Sequence, residues 1–145
     1  GQILRLRTEP PPLSHHLWYA HGYAASKPDG LVWVGTTEER VGFDEGLTRA
    51  ARDSIMEIAL KILPSLVDAQ VVQQTACLRP LSADGLPIIG PVPGWEGVYI
   101  ATGGGRKGII LGPAMGKAIA DLIAQGRTSL PIQPFGLGRF DKLTM

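Results

Sequence analysis

Arg79 is the residue whose type and position point most directly to chemistry. It ends an alternating run, residues 71–79, and shares a predicted strand face with Cys77 and Thr75. Burying an unpaired guanidinium among small, weakly polar side chains is costly, so an anionic partner is expected. The planar fork of arginine suits a carboxylate, which it can hold through two parallel hydrogen bonds. Two partners stay open: the carboxylate of a ligand, or Asp84 across the following turn.

Two other polar side chains invite a functional interpretation. Arg106 lies in a glycine cluster at a predicted helix start, where a cation opposes the helix macrodipole. Either a second anion-binding role or a side chain extended into solvent accounts for it. Cys77 is either a thiolate activated by Arg79 or, as is more common, a small buried hydrophobe.

The glycine cluster follows a short apolar run and opens a helix, over residues 98–111. Gly103, Gly105 and Gly108 satisfy the spacing G-x-G-x-x-G of a dinucleotide-binding βαβ unit. That unit also needs a second strand ending in an acidic residue about 20 positions on. Residues 128–135 contain two prolines and no acid. The sequence therefore predicts a helix start that faces a part of a ligand other than its pyrophosphate.

Composition excludes several classes of function. The chain has 145 residues and a net charge of +1, which gives no electrostatic basis for binding nucleic acid or an anionic membrane surface. No run of about 18 apolar residues is present, and no secretory signal opens the chain. The three histidines lack the spacing of a metal site. Cys77 is the only cysteine, so no internal disulfide can form, and a reducing compartment, the cytoplasm, is expected.

The hydrophobic pattern predicts the elements that position these residues. Strands are expected at 3–6, 18–25, 31–34, 71–79 and 98–102, with a hairpin joining the second and third across Pro28-Asp29-Gly30. Helices are expected at 47–63 and 108–125, the second ending at a left-handed Gly126. Residues 88–91 form a brief apolar segment. The order predicts an α+β fold with a mostly antiparallel sheet and two main helices.

Small residues recur every four positions along the second helix, at Gly112, Gly116, Ala120 and Ala124. Glycine weakens a helix by about 1 kcal/mol relative to alanine, so such a row requires compensation. Close approach to a backbone or a flat ligand would supply it, and so would ordinary packing of the helix on the sheet.

Two long motifs resemble those of glycine oxidase and related flavoenzymes of the D-amino-acid-oxidase type. Residues 78–90, LRPLSADGLPIIG, are similar to the family pattern LRP-x-[ST]-x-DG-x-P-x-IG, and residues 101–113 are similar to A-x-G-H-x-R-x-G-I-L-L-A-P. The opening Gly1-Gln2, the segment 35–44 and the closing Arg139-Phe140 also resemble the family. The similarity covers nearly the whole chain.

The resemblance implies roles for individual residues. Arg79 corresponds to the arginine that holds the substrate carboxylate, Arg106 to a second substrate-site arginine, and Tyr23 to a tyrosine that closes over the substrate. The segment placed beside the flavin ring of FAD corresponds to Gly104, Gly105, Arg106, Lys107, Gly108, Ile109 and Ile110. The implied reaction oxidises glycine or another small D-amino acid or amine to the oxo acid, with ammonia and hydrogen peroxide.

The resemblance also implies a division of the chain. Residues 1–97 would form the substrate-binding domain, 98–126 the strand, glycine cluster and helix on the FAD-binding side, and 127–145 a tail. The amino-terminal fingerprint that cradles the FAD pyrophosphate in the family is absent, so the FAD site is incomplete. It would be completed by an amino-terminal FAD-binding domain or a separate chain. Association into a homo-oligomer is left open.

Departures from the family pattern leave the substrate undefined. Gly104 stands in place of the usual histidine, Gly105 in place of an aromatic residue, and Cys77 in place of a glycine. The alternative hypothesis is a non-catalytic fragment or subunit that has the fold of a substrate domain and binds small carboxylates or a partner chain.

Overall fold

The computed structural model describes residues 1–10 and 13–143. The chain forms two compact units, Gly1–Leu78 and Arg79–Met145. The sequence placed the main division after residue 97. Residues 88–91 pair with the strand at 99–102, so the segment that precedes this strand belongs to the second unit. The assignment of 1–97 to substrate binding remains a prediction about function.

The first unit is built on a five-stranded antiparallel sheet of order β2-β3-β4-β1-β5. Its strands are β1 (Gln2–Arg7), β2 (Leu17–Tyr19), β3 (Gly22–Ser26), β4 (Val32–Gly35) and β5 (Gln70–Ala76). The helix α1 (Arg49–Ile62) follows β4 and is succeeded by a 3-10 turn over Pro64–Asp68. The α+β fold class is thus confirmed.

Alternation along the strands puts one face of this sheet against α1. Leu4, Leu6, Val32 and Val34 are fully buried on that face. Helical spacing places Ala51, Ile55 and Ala59 on the side of α1 that packs against it, and all three are buried. Thr48 caps α1 by accepting a hydrogen bond from the Ala51 N–H at 3.2 Å. The helix therefore begins two residues later than the predicted 47, and it ends one residue earlier than the predicted 63.

The second predicted strand, 18–25, is two strands. Ala20 takes a φ of 51°, a left-handed conformation that turns the chain, so β2 pairs back on β3 with Trp18 opposite Tyr23. The hairpin of β3 and β4 is confirmed. Asp29 stabilises its turn by accepting hydrogen bonds from the Leu31 N–H and the Trp33 indole.

The second unit contains an antiparallel pair and one long helix. β6 (Ile88–Pro91) pairs with β7 (Tyr99–Thr102), and α2 (Gly108–Gln125) packs on them through Met115 and Ala118. Sequence reasoning identified 88–91 only as an apolar segment, because a run of four residues with a glycine and a proline lacks a strand period. Short 3-10 turns lie at Gly105–Lys107, Gln133–Phe135 and Leu137–Leu143.

The row of small residues on α2 does not pack on the strands. Gly112, Gly116, Ala120 and Ala124 are all exposed, and a Cβ added at either glycine would have nothing within 4 Å. Of the two explanations for this row, helix-on-sheet packing is wrong, because the helix presents Met115 to the strands instead. The predicted end of α2 is confirmed, since Gly126 has a φ of 70°.

Candidate functional site

Arg79 lies beyond the strand that was expected to carry it. β5 ends at Ala76, and Arg79 opens the loop of the second unit that leads to β6, with its side chain half-buried. The start of this loop is bonded to the glycine cluster. The Gly105 N–H donates to the Pro80 carbonyl at 3.1 Å, and Leu81 forms a β-bridge with Gly104. The structure thus brings together the segments that the two long motifs occupy.

The glycine cluster has a geometry that larger residues would not adopt. Gly103 and Gly105 have φ values of 75° and 51°, in the left-handed region. A Cβ on Gly104 would lie 2.7 Å from the Gly108 Cα, a backbone contact that only glycine avoids. The chain therefore makes a tight turn directly before α2, and the departure from the family histidine at Gly104 has a steric basis in this structure.

The positive end of the α2 dipole, at the amino terminus of the helix, is not compensated by an acidic side chain of the first turn. Its first turn has no acidic residue, and no side chain caps it; the residues before it are the exposed Arg106 and Lys107. Ile109 and Ile110 are 94% and 81% exposed. A positive helix end beside exposed aliphatic side chains fits a ligand that has both a flat apolar ring and an anionic edge. The isoalloxazine ring of a reduced flavin has this chemistry.

Tyr23, the third predicted substrate residue, belongs to the first unit. It lies in β3 on the face opposite α1, half-buried, with its ring centroid 5.3 Å from that of Trp18. Its neighbour across the strands is Gly35, where an added Cβ would come within 2.8 Å of Ile3 Cγ2 and 3.2 Å of Tyr23 Cε1. The missing side chain at Gly35 lets the tyrosine ring lie across β4.

Asp84, the alternative partner considered for Arg79, is bound by Arg139. The Arg139 Nε donates to Asp84 Oδ2 at 2.6 Å and Nη2 donates to Oδ1 at 3.1 Å. The Leu86 N–H also donates to Oδ1, at 3.1 Å. The hydrogen bond from Arg139 is the main cause that holds the pKa of Asp84 well below its ordinary value. Sequence reasoning noted Arg139 only as part of a tail that resembles the family.

Gln2 is a second residue whose role sequence reasoning missed. It is 3% exposed, and its side chain joins three segments of the first unit. Its Oε1 accepts hydrogen bonds from Gln74 Nε2 at 2.8 Å and from the Thr48 N–H at 3.2 Å, while its Nε2 donates to Glu39 at 3.3 Å. The resemblance marked Gln2 as the opening of the family's substrate-side region. The structure shows that its side chain connects the segments of Glu39, Thr48 and Gln74.

Cys77 is exposed, so its interpretation as a buried hydrophobe is wrong. Within residues 1–10 and 13–143, no group of three or more His, Cys, Asp or Glu side chains could hold a metal ion. No helix in that part of the chain has the length and apolar character needed to cross a bilayer.

The fold and the glycine-opened helix define the class of protein. Over 94% of this chain, the structure matches that of glycine oxidase from Geobacillus kaustophilus with a TM-score of 0.85 and 28% identity, covering 37% of that chain. The family model described as FAD dependent oxidoreductase matches residues 1–122. The chain belongs to this family, the D-amino-acid-oxidase type of flavoenzyme.

Two curated proteins are similar in sequence to this chain. Glycine oxidase from Pseudomonas aeruginosa is 43% identical over 102 residues, which cover 70% of this chain and 28% of that protein. Hydrogen cyanide synthase subunit HcnC from Pseudomonas protegens is 34% identical over 140 residues, covering 97% of this chain and 34% of that protein. The chain thus spans about a third of the length of these relatives.

Proposed function

We propose that this chain is the substrate-binding and flavin-contacting region of an FAD-dependent oxidase that acts on glycine or another small D-amino acid or amine. The observation that carries the proposal is the direct bonding of the Arg79 loop to the glycine cluster at the open end of α2. Arg79, the proposed carboxylate ligand, and the helix start proposed to face the flavin ring belong to one compact unit.

The chain's own residues would position and polarise the reactants. Arg79 would hold the substrate carboxylate through two charge-assisted hydrogen bonds, Arg106 would supply a second positive charge, and Tyr23 would close over the substrate. The segment Gly104–Ile110 would contact the flavin ring, with the positive end of α2 stabilising the negative charge that develops there. Bound FAD would supply the redox chemistry by accepting two electrons from the substrate. Water would hydrolyse the imine product to the oxo acid and ammonia, and dioxygen would take up the two electrons with two protons to give hydrogen peroxide.

The assignment of Arg79 is tested by Arg79→Leu in the full-length oxidase. We expect KM for glycine to rise by about a hundredfold, because two hydrogen bonds to a charged group are worth roughly 3 kcal/mol. Flavin content, measured by absorbance, should stay near the wild-type value. Arg79→Lys, which keeps the charge but loses the fork, is the matched control and should give a smaller rise. An unchanged KM in the leucine variant would refute the role.

A second candidate follows from the similarity to a protein named as a subunit of hydrogen cyanide synthase. In this alternative the chain works within an assembly of several polypeptides, and a separate chain completes the FAD site. Titration of the purified chain with FAD tests the incomplete FAD site that both candidates share. We expect weak uptake from the chain alone, because it would supply the proposed contacts to the flavin ring without a completed pyrophosphate fingerprint. Tight, stoichiometric uptake would contradict both the incomplete site and the need for a second chain.

A further inference from the structure

The loop between Arg79 and β6 is held by hydrogen bonds to other segments at its start and near its end. At its start, Pro80 and Leu81 are bonded to Gly105 and Gly104, as described above. At its far end, Asp84 receives the two hydrogen bonds from Arg139. Outside the single bridge of Leu81, this loop has no strand or helix to fix its path. Its position therefore depends on these two attachments, while hydrogen bonds within residues 82–86 shape its turn.

Arg139 uses every nitrogen of its guanidinium on this attachment. Besides its two bonds to Asp84, Nη2 donates to the Leu86 carbonyl at 3.1 Å. Nη1 donates to the carbonyls of Phe135 and Gly136 at 2.7 and 3.1 Å. The side chain also stacks over Phe140, with Cζ 4.2 Å from the ring centroid. One planar group thus joins the loop to the 3-10 turns that follow α2.

Asp84 in turn organises the loop around itself. Its Oδ1 accepts from the Leu86 N–H at 3.1 Å and lies 2.8 Å from the Ser82 hydroxyl. The Gly85 N–H donates to the Ser82 carbonyl at 3.1 Å, and Gly85 has a φ of 75°. The side chains of Arg139 and Asp84 are only 17% and 34% exposed. Exposed single ion pairs contribute little, whereas a bidentate, half-buried pair fixes geometry.

We propose that the Asp84–Arg139 pair is a positioning device that holds the Arg79 loop against the glycine cluster, so that Arg79 binds a carboxylate in one orientation. This inference rests on the proposed function, because it needs Arg79 to be the carboxylate ligand. Asp84 and Arg139 are positioning residues and touch neither substrate nor flavin. A loop that loses one of its two attachments samples more conformations, and displacement of a binding arginine by about 1 Å weakens binding steeply.

The test uses the full-length enzyme with FAD bound and Asp84→Asn, which keeps the shape of the side chain and removes its charge. The probe is glycolate, a small carboxylate that lacks the amino group and is titrated calorimetrically. We expect the Kd for glycolate and the KM for glycine to rise about tenfold, with kcat and flavin content within about twofold of wild type. Hydrogen exchange in residues 79–87 should quicken in the variant.

Asp121→Asn is the matched control within the same unit. Asp121 is a carboxylate of α2 that is paired with Lys117 at 2.9 Å and accepts a hydrogen bond from the Thr128 hydroxyl at 3.0 Å. Its loss removes a comparable ion pair away from the Arg79 loop, so the Kd for glycolate should not change. If Asp84→Asn misfolds, Arg139→Lys tests the same attachment with a single point charge, and we expect an intermediate rise in Kd.

The outcomes separate this inference from the proposed function. Equal Kd values in Asp84→Asn and wild type, while Arg79→Leu loses glycolate binding, would overturn the positioning role and leave the function intact. A loss of glycolate binding that only tracks a loss of flavin, or that Asp121→Asn shares, would mean general destabilisation and would also overturn it. Unchanged glycolate binding in Arg79→Leu would overturn the proposed function itself.

Discussion

At the scale of single residues, the placement of Tyr23 depends on the side chain that Gly35 lacks. The two residues are paired between β3 and β4, and Ile3 of β1 lies on the other side of Gly35. Both neighbours fall within 3.2 Å of the position that a Cβ would take. The position of the Tyr23 ring next to Gly35 thus depends on residues of three strands.

Gly35→Ala should displace Tyr23 and Ile3. Because overpacking forces side chains off their preferred rotamers, we expect the free energy of unfolding to fall by about 1–3 kcal/mol. Urea unfolding of the chain measures it. In the full-length oxidase, KM should also rise if Tyr23 covers the substrate. An unfolding midpoint equal to that of wild type would show that Ile3 and the ring yield without cost, contrary to this prediction.

The pairing of Asp84 shows why its partner was not predictable. The nearest cation in sequence was Arg79, five positions away, and the sequence offered that pair as an alternative. The residue that binds Asp84 is Arg139, 55 positions away. A separation of that size is bridged only by the path of β7 and α2, so no local pattern signals it.

At the scale of elements, the start of α2 is set by the glycines before it. Gly104 leaves room for the Gly108 backbone, and the left-handed φ values of Gly103 and Gly105 bring the chain into the helix. Strand, cluster and helix were therefore predictable from local sequence. The observed bounds of α2, Gly108–Gln125, agree with the predicted ones.

Gly104→Ala and Gly116→Ala should have opposite effects. The first places a Cβ 2.7 Å from the Gly108 Cα, so the start of α2 must shift and the unfolding midpoint should fall. The second adds a Cβ in open space within the helix and should stabilise the chain by about 1 kcal/mol. Circular dichroism during urea unfolding measures both. Equal effects of the two substitutions would argue against the steric account of the cluster.

The bounds of β2, β3 and β6 depend on pairing between strands, which the local sequence pattern does not indicate. The split of 18–25 into β2 and β3 requires Ala20 in a conformation that alanine rarely adopts. The short strand β6 forms because β7 offers it a partner. Propensity alone does not favour either feature, and tertiary pairing decides both.

At the scale of the whole molecule, charged side-chain pairs make stability depend on acid. Hydrogen bonds from Arg139 and Lys117 lower the pKa values of Asp84 and Asp121 in the second unit. Hydrogen bonds from the Leu31 N–H and from Lys61 do the same for Asp29 and Glu57 in the first. A carboxyl with a depressed folded pKa stabilises the native state above its ordinary pKa. That stabilisation is lost as the pH falls toward the folded pKa.

The urea midpoint should therefore be insensitive to these four groups near neutral pH and should decline once the pH drops below their ordinary pKa values of 3.8 and 4.5. Asp84→Asn should show a shallower decline than wild type, because one of the titrating groups is gone. Unfolding followed at several pH values measures both curves. Parallel curves would mean that Asp84 does not contribute to the acid response.

The amino-acid sequence was sufficient to predict the α+β class, the family, the hairpin at Asp29, the bounds of α2 and the glycine-opened helix start. These features depend on residues within a few positions of one another or on motifs that stay contiguous. Three features became visible only in the folded chain: Arg139 binds Asp84, Gly35 makes room for Tyr23, and the small residues of α2 are exposed. Each of those outcomes depends on which distant segments meet, and packing sets that after the local elements have formed.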